Sequence, residues 1–405
     1  MSRSTTAPPL LLPPSVPAAA RAGLRLLSRL RCGTLDLQLP DGSQRRFGGD
    51  GGPRAAMSLH NWKVFGAALK SGDIGFAESW IAGDWHAPDL AALLKLFALN
   101  RDAIEGAVYG RWWGRLLYRL KHLLNANTRS GSRRNIHAHY DLGNPFYRLW
   151  LDPTMSYSAA WFDGDLDGDL AQAQRAKLRR ALDACGIGRD GRLLEIGCGW
   201  GGLAEIAAAE RGARVTGVTL STEQLHWAQR RLQALGLRSD LRLQDYRDIA
   251  DGPYDAIVSI EMFEAVGRAY WPGYFQRVHD LLKPGGRACI QTITIRDDLF
   301  ERYVGGTDFI QQYIFPGGLL PSATAFRDAA AAAGLQVVEQ FAFGRDYAET
   351  LRRWRARFQA EEAAVRALGF DGRFLRIWEF YLAYCEAAFD TGNTDVLQFT
   401  LQRAG

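Results

Sequence analysis

The chain has 405 residues, of which 47% are hydrophobic, so it is long enough for two or more domains with sizeable cores. Its five cysteines form no CxxC pair and show no metal-ligand spacing, which argues against a disulfide framework or a zinc site and favours a reducing, cytoplasmic compartment. The net charge of +5 is mild, and no apolar stretch approaches the roughly 20 residues of a membrane span. A soluble or peripheral protein is expected.

The chain begins with a proline-rich stretch and a small domain. APPLLLPPSVP interrupts its own apolar run with prolines, so residues 1–17 predict a disordered N-terminus and no signal peptide. Residues 18–106 predict a smaller, largely helical N-terminal domain. It contains a helix over 18–30, a short β-like piece ending in the turn LPDGS, the segment GDIGFAESWIAGDW and the apolar helix LAALLKLFAL.

A basic connector follows over residues 107–136. No acidic residue lies between Glu105 and Asp141. In RWWGRLLYRLKHLL, arginines recur every four residues beside a stripe of Trp and Leu, which is typical of an amphipathic helix on an anionic lipid surface. Alternatively, the stripe packs on the protein and the arginines are solvated. Nucleic acid is less favoured because no recognition fold accompanies the charge. The basic residues are Arg111, Arg115, Arg119, Lys121, Arg129, Arg133 and Arg134.

Strand-like and helical segments alternate through the remaining residues, 137–405. Strand candidates lie at 192–196, 214–219, 241–245, 256–260 and 287–293. This succession predicts an α/β fold with a parallel, doubly wound sheet, in which ligands bind beyond the carboxyl ends of the strands.

Two glycine-containing motifs narrow the ligand class. LLEIGCGWGG, which follows the first strand, allows a sharp turn and lets a ligand lie against backbone N–H groups. The second strand ends in GVTLSTEQ, which offers hydroxyls and an amide where a dinucleotide enzyme needs an acid. KPGG at 283–286 turns into the fifth strand. The order E-x-G-x-G-x-G and then LKPGG is the layout of Rossmann-like methyltransferases that use S-adenosylmethionine (SAM).

Further motifs resemble those of the cyclopropane-fatty-acyl-phospholipid synthase family, which includes the mycolic acid cyclopropane synthases. They are HAHYDLGNPFYRLWLDPTMSYSAAWF, LQDYRDI, MFEAVG, YIFPGG and FGRDYAETLRRW. The resemblance implies a mostly parallel seven-stranded sheet and SAM-dependent transfer of a one-carbon unit to a cis double bond of a phospholipid acyl chain. The product would be a cyclopropane, or a methylene- or methyl-branched chain. With the cysteine usage and the basic connector, a lipid acceptor predicts a cytoplasmic enzyme, peripheral at the inner face of the membrane, and the aromatic C-terminal stretch leaves a homodimer open.

The resemblance also supplies candidate SAM contacts, each at the position that matches a family motif. They are Tyr157, Ser158, Glu195, Gly197, Gly199, Trp200, Thr219, Gln224, Tyr246 and Ile260. Thr219 and Gln224 are expected at the ribose, and Tyr246 beside the adenine.

The proton acceptor of that family is often a bicarbonate ion held by a Cys, a Glu, a His and a Tyr. Glu264 and Tyr347 match two of these positions, whereas Ala159 stands at the Cys and Gln291 at the His. The Ala159 N–H and the Gln291 amide can still donate hydrogen bonds, so the ion site is weakened and not abolished.

Glu261 stands where the family usually has Gly, in the apolar run AIVSIEMFEAVG. We therefore predict that Glu261 is the catalytic base, with its pKa raised by burial, and that Glu264 and Tyr347 orient the site. If a helix begins at position 261, the two acids share one helix face. The alternative is a helix-terminal acid stabilised by the helix dipole.

Two other functions remain open at this point. One is SAM-dependent methylation of another hydrophobic small molecule, against which the N-terminal domain and the basic connector count. The other is a catalytically weakened lipid-binding homologue, suggested by Ala159 and Gln291 but opposed by the intact SAM motifs. His137 and His139 are too isolated for a metal site. The aromatic stretch 374–389 predicts a buried or dimer-facing helix.

Overall fold

The structure, a computed structural model, describes residues 15–49, 51–104 and 142–405. The chain divides into two compact units, Met1–Tyr118 and Arg119–Gly405. The basic connector 107–136, together with His137 and His139, lies outside the described residues, as do residues 1–14.

The described chain begins in ordered structure. Val16 is buried, and Pro17 directly precedes the first helix. The burial of Val16 differs from the disorder that was expected through residue 17. Its physical reason is that Val16 supplies an apolar side chain to the core of the first unit.

The described part of the first unit combines helices with a small sheet, which is larger than the one β-like piece that was predicted. The strand order is β2-β1-β3-β4, with β1 antiparallel to β2 and parallel to β3. The turn LPDGS closes the β1–β2 hairpin through a hydrogen bond from Leu39 N–H to Ser43 O, with Gly42 at φ 83°. The elements are α1 (Ala18–Leu27), β1 (Thr34–Gln38), β2 (Gln44–Gly48), β3 (Arg54–Leu59), α2 (Lys63–Ile81), β4 (Trp85–His86) and α3 (Leu90–Leu99).

The second unit is built around a seven-stranded sheet flanked by helices. Its strands are β5 (Arg192–Ile196), β6 (Arg214–Thr219), β7 (Asp240–Leu243), β8 (Tyr254–Ile260), β9 (Leu282–Ile295), β10 (Leu335–Ala342) and β11 (Thr394–Arg403). Its helices are α4 (Asn144–Trp150), α5 (Leu170–Cys185), α6 (Gly202–Arg211), α7 (Thr222–Ala234), α8 (Trp271–Leu281), α9 (Asp297–Val304), α10 (Phe309–Tyr313), α11 (Ala323–Ala332), α12 (Gly344–Ala360), α13 (Glu362–Ala367) and α14 (Gly372–Asp390).

The strand order of this sheet is β10-β11-β9-β8-β5-β6-β7, mostly parallel, with β11 antiparallel to both of its neighbours. This confirms the predicted fold class, a Rossmann-like methyltransferase domain. Because β5 to β9 run parallel, their carboxyl ends meet at one edge, where the predicted motifs follow the strands.

Two features differ from the sequence-based expectation. KPGG does not precede the fifth strand as a separate turn: it lies within β9, where the β8–β9 register jumps between the Tyr254–Leu282 and Ala256–Arg287 pairs. Strands β10 and β11 had no predicted counterpart. Antiparallel β11 pairs with β9 over its length and sets Gln398 directly opposite Gln291.

The sheet separates two apolar cores, one centred on Phe263, Tyr274 and Phe275 and the other on α5, α6 and α7. The stretch 374–389 lies in α14, whose side chains Phe380 and Leu382 are fully buried. Among the described residues, none of the helices is long and apolar enough to cross a membrane.

Candidate active site

The glycine loop after β5 forms the first wall of the site. Gly197, Gly199 and Gly201 have φ values of 87°, 51° and 82°, in the left-handed region that glycine adopts without strain. An added Cβ at Gly199 would enter open space, whereas one at Gly197 would come within 3.0 Å of Met262. The loop therefore leaves room for a ligand beside Gly199.

Glu195 lies beneath this loop and is almost fully buried. Its Oε2 atom has no hydrogen-bond partner, and burial raises its pKa to about 8. A buried carboxyl oxygen without a hydrogen-bond partner calls for a polar group from a ligand. SAM, which carries an ammonium group and ribose hydroxyls, fits this chemistry. It would supply an electrophilic methyl group.

The other predicted SAM contacts lie at the ends of neighbouring strands. At the end of β6, Thr219 Oγ1 and Gln224 Oε1 are 2.9 Å apart, so the hydroxyl holds the amide in place. Ile260 ends β8, and Tyr246 follows β7 in a short 3-10 helix. Burial raises the pKa of Tyr246 to about 12, so its hydroxyl stays protonated. These positions line one edge of the sheet.

Two further candidates, Tyr157 and Ser158, lie in the segment before α5, and a third, Trp200, lies in the glycine loop after β5. Tyr157 Oη lies 2.7 Å from Tyr381 Oη, and the indole N–H of Trp200 donates to Asn144 at 2.7 Å. The Ser158 hydroxyl accepts a hydrogen bond of 2.5 Å from the Nζ of Lys177, a fully buried lysine on α5.

Glu261 does not begin a helix. It has φ 49°, a left-handed conformation that is uncommon for a residue with a side chain, and its N–H donates to the Gln291 carbonyl at 2.8 Å. The helix that follows is a 3-10 turn over Phe263–Ala265. Both helix-based expectations, the shared helix face and the helix-terminal acid, are therefore wrong, because the chain leaves β8 through this left-handed residue.

The Glu261 carboxylate is held by three donors from three separate segments. Its Oε1 accepts the Ala159 N–H at 2.8 Å and the Gln291 Nε2 at 2.7 Å, and its Oε2 accepts the Tyr347 hydroxyl at 2.7 Å. These are three of the residues predicted to act in catalysis. The structure thus joins Ala159, Gln291, Tyr347 and Glu261 in one cluster.

Opposing influences act on the pKa of Glu261. Burial raises the pKa above its ordinary value, while the Lys177 ammonium and the three donors lower it. Burial and the negative charge of Glu261 hold the pKa of Tyr347 well above its usual range, so this tyrosine remains a donor. A base with a raised pKa but stabilised anion suits proton abstraction near neutral pH.

Glu264 is not part of this hydrogen-bonded cluster. Its Oε1 accepts the Ile293 N–H at 2.5 Å, and its Oε2 is buried without a partner. Burial and then the charge of Glu261 raise the pKa of Glu264 to about 8, so it is mostly protonated at pH 7. Of the two acids, Glu261 is the one held as an anion by donors.

The described residues do not fit a bicarbonate ion alongside Glu261. The donors that the family would offer to such an ion, the Ala159 N–H, the residue at 291 and the Tyr347 hydroxyl, all bind the Glu261 carboxylate. With these three donors taken by the Glu261 carboxylate, the site does not fit a bicarbonate ion. Within the same described ranges, no group of three or more His, Cys, Asp or Glu side chains could hold a metal.

Sequence reasoning missed two residues of this site, Lys177 and Gln398. Lys177 lies on the apolar stripe of α5 with Leu170, Ala173 and Ala181, and a lysine at such a position is a signal of buried function. Gln398 lies on β11, which was not predicted, and it contacts Gln291 directly.

Comparison with known proteins places this geometry in context. The family model described as mycolic acid cyclopropane synthetase matches residues 127–399. The tuberculostearic acid methyltransferase UfaA1 of Mycobacterium tuberculosis is 40% identical over 97% of this chain and 93% of its own length. The cyclopropane-fatty-acyl-phospholipid synthase of Escherichia coli K12 is 34% identical over 87% of this chain and 89% of its own. The crystal structure of mycolic acid cyclopropane synthase CmaA1 with SAH and CTAB aligns with a TM-score of 0.63 and 34% identity, over 67% of this chain and 98% of that one.

Proposed function

The chain belongs to the mycolic acid cyclopropane synthetase family, and on that premise we propose that it methylates a cis double bond in phospholipid acyl chains with Glu261 as the base. Membership makes it a SAM-dependent methyltransferase that modifies fatty acids.

The bond changes define what the protein must do. The alkene π electrons form a bond to the methyl carbon as the methyl–sulfur bond breaks, which leaves a carbocation on the neighbouring carbon of the acyl chain. Loss of one proton then completes the reaction. The Glu261 carboxylate accepts that proton, so its anion must be stable before the step and its pKa high enough to take the proton.

One observation carries this proposal: the Glu261 carboxylate occupies a site with three donors. Its left-handed backbone costs on the order of 1 kcal/mol relative to glycine. A strained conformation of this kind persists only where the surrounding contacts hold it, and such residues concentrate in active sites. Glu261 combines strain, burial and donors that hold an anion.

We further propose that the product is a methylene-branched chain. A hydride shift from the methylated carbon to the cationic carbon moves the charge to the branch point, and loss of a methyl proton to Glu261 then gives an exocyclic double bond. The support is that UfaA1, matched along almost the whole chain, is named a methyltransferase and not a cyclopropane synthase. A membrane lipid acceptor also agrees with the phospholipid synthase among the relatives, and it would place this protein at the membrane surface.

The test substitutes Glu261 and identifies the lipid product. Glu261→Gln keeps the shape but cannot accept a proton, so we expect turnover of SAM with unsaturated phospholipid vesicles to fall at least a hundredfold. Glu261→Gly relieves the backbone strain and frees the three donors, and added bicarbonate should restore part of its activity. Mass spectrometry should show a gain of one methylene, and ozone should cleave a branched alkene but spare a cyclopropane.

Glu210→Gln serves as the control, because Glu210 pairs with Arg179 at the surface and lies outside the site. Near wild-type turnover by Glu261→Gln without bicarbonate would show that Glu261 is not the catalytic base. A product that resists ozone would be a cyclopropane and would contradict the proposed methylene-branched chain.

A further inference from the structure

Gln291 has an amide whose orientation is fixed from outside the site. Gln291 and Gln398 are fully buried and face each other across the β9–β11 pair. The Gln398 Nε2 donates to the Gln291 Oε1 at 3.0 Å, and the Gln291 Nε2 donates to Glu261. An amide can present either its oxygen or its nitrogen, so its neighbours decide which group faces the base.

The neighbours of Gln398 leave it one orientation. A guanidinium only donates, and the Arg180 guanidinium reaches the Gln398 Oε1 at 2.8 Å. A carbonyl only accepts, and the Lys177 carbonyl receives the Gln398 Nε2 at 3.1 Å. Both contacts turn the oxygen of Gln398 towards Arg180 and its nitrogen towards Gln291.

The orientation of the Gln398 amide determines that of the Gln291 amide. Because Gln398 offers N–H to Gln291, the Gln291 oxygen must face Gln398 and its nitrogen must face Glu261. Arg180 is itself held in place, since it pairs with Glu339 at 2.6 Å and lies 3.7 Å over the ring of Phe341. Arg180, Gln398 and Gln291 thus form a hydrogen-bond chain with one direction, which ends on the base.

We propose that Arg180 and Gln398 are positioning residues that force Gln291 to donate to Glu261 and so keep the base ionised. The proposal rests on the role of Glu261 given above. Substituting Gln398 should leave the fold and SAM binding in place but weaken the donor at the base. The pKa of the base would then rise, because a hydrogen bond to the charged form is lost.

The test compares two variants of Gln398 with one control variant at Gln402. Gln398→Met removes the contact, and Gln398→Glu reverses it, since a carboxylate paired with Arg180 can only accept from Gln291. We expect turnover to fall roughly ten- to a hundredfold, with the acidic limb of the kcat/KM pH profile raised by about one unit. The control is Gln402→Met on the same strand, where the Gln402 side chain donates to the Gly285 carbonyl in an exposed contact.

A double-variant measurement separates positioning from general damage. If Gln398 acts through Gln291, Gln398→Met should move the pH profile of the parent but not that of Gln291→Leu. Two outcomes would overturn the positioning role: Gln398→Met shifts the pH profile equally in both backgrounds, or it does not shift the profile of the parent. If Glu261→Gln is inactive in the same assay, either outcome leaves the role of Glu261 as the base unaffected. Cooperative thermal unfolding and SAH binding, measured by calorimetry, verify that each variant is folded. An active Glu261→Gln would instead overturn the proposed function.

Discussion

Lys177 is the residue whose charge balances the active-site acids. It is fully buried, its Nζ donates to Ser158, and burial lowers its pKa to about 8 while Glu261 is the first of three acids that raise it. A buried ammonium without nearby anions would be costly, so the lysine and the base stabilise each other's charged forms.

Lys177→Met should therefore lower the fraction of Glu261 that is ionised near neutral pH. Removing the ammonium takes away the largest influence that lowers the pKa of Glu261, so the acidic limb of the kcat/KM pH profile should rise by about one unit or more. The matched control is Lys283→Met, which removes a lysine paired with Asp255 at the surface. A higher KM for SAM with an unmoved acidic limb would show that Lys177 acts only through Ser158.

At this scale the sequence identified the side chains but not their connections. Glu261, Gln291, Ala159 and Tyr347 could be singled out because each stands at a family motif. Their convergence on one carboxylate depends on the left-handed turn at Glu261, which local sequence does not predict for a glutamate. Glu264, which was expected to orient the site, accepts a hydrogen bond from the Ile293 N–H and interacts with Glu261 through its charge.

Among the elements, the glycine loop is where backbone geometry and ligand binding can be separated. Gly199→Ala should cost about 1 kcal/mol of stability for its left-handed φ but raise the Kd for SAH at least tenfold, because the new methyl enters the open space beside the loop. Urea unfolding and calorimetry measure the two effects.

Gly236→Ala is the control for this loop. Gly236 follows α7 with φ 66° and has open space at an added Cβ, so it carries a similar backbone cost away from the carboxyl edge of the sheet. Equal SAH affinity for Gly199→Ala and Gly236→Ala would contradict a ligand beside Gly199.

The strands of the seven-stranded sheet differ in how well they could be predicted from the sequence. Strands β5, β6 and β8 were predicted within a few residues because each is a short apolar run followed by a motif. Strand β10 has mostly half-buried or exposed residues, and β11 is buried over most of its length without alternation, so neither shows a clear period of two. The missed β11 is the strand that carries Gln398.

For the whole molecule, buried acids make stability depend on pH. Glu195 and Glu264 have pKa values of about 8 in the folded protein, against 4.5 in an unfolded chain. Between these values the folded state binds more protons than the unfolded state, so the free energy of unfolding should fall as the pH rises from about 4.5 to 8. Above pH 8, Lys177 acts in the opposite sense, because it loses its proton only in the folded state.

Glu195→Gln should flatten this dependence, since glutamine keeps the shape without titrating. Relative to the parent, the variant should gain about 2 kcal/mol in the free energy of unfolding between pH 5.5 and 7.5, close to the limit for one group over that interval. Urea titrations of both proteins across this range measure the difference. A constant difference would mean that Glu195 is already ionised in the folded protein, with a partner for its Oε2, and that this acid is a fixed anion before SAM binds.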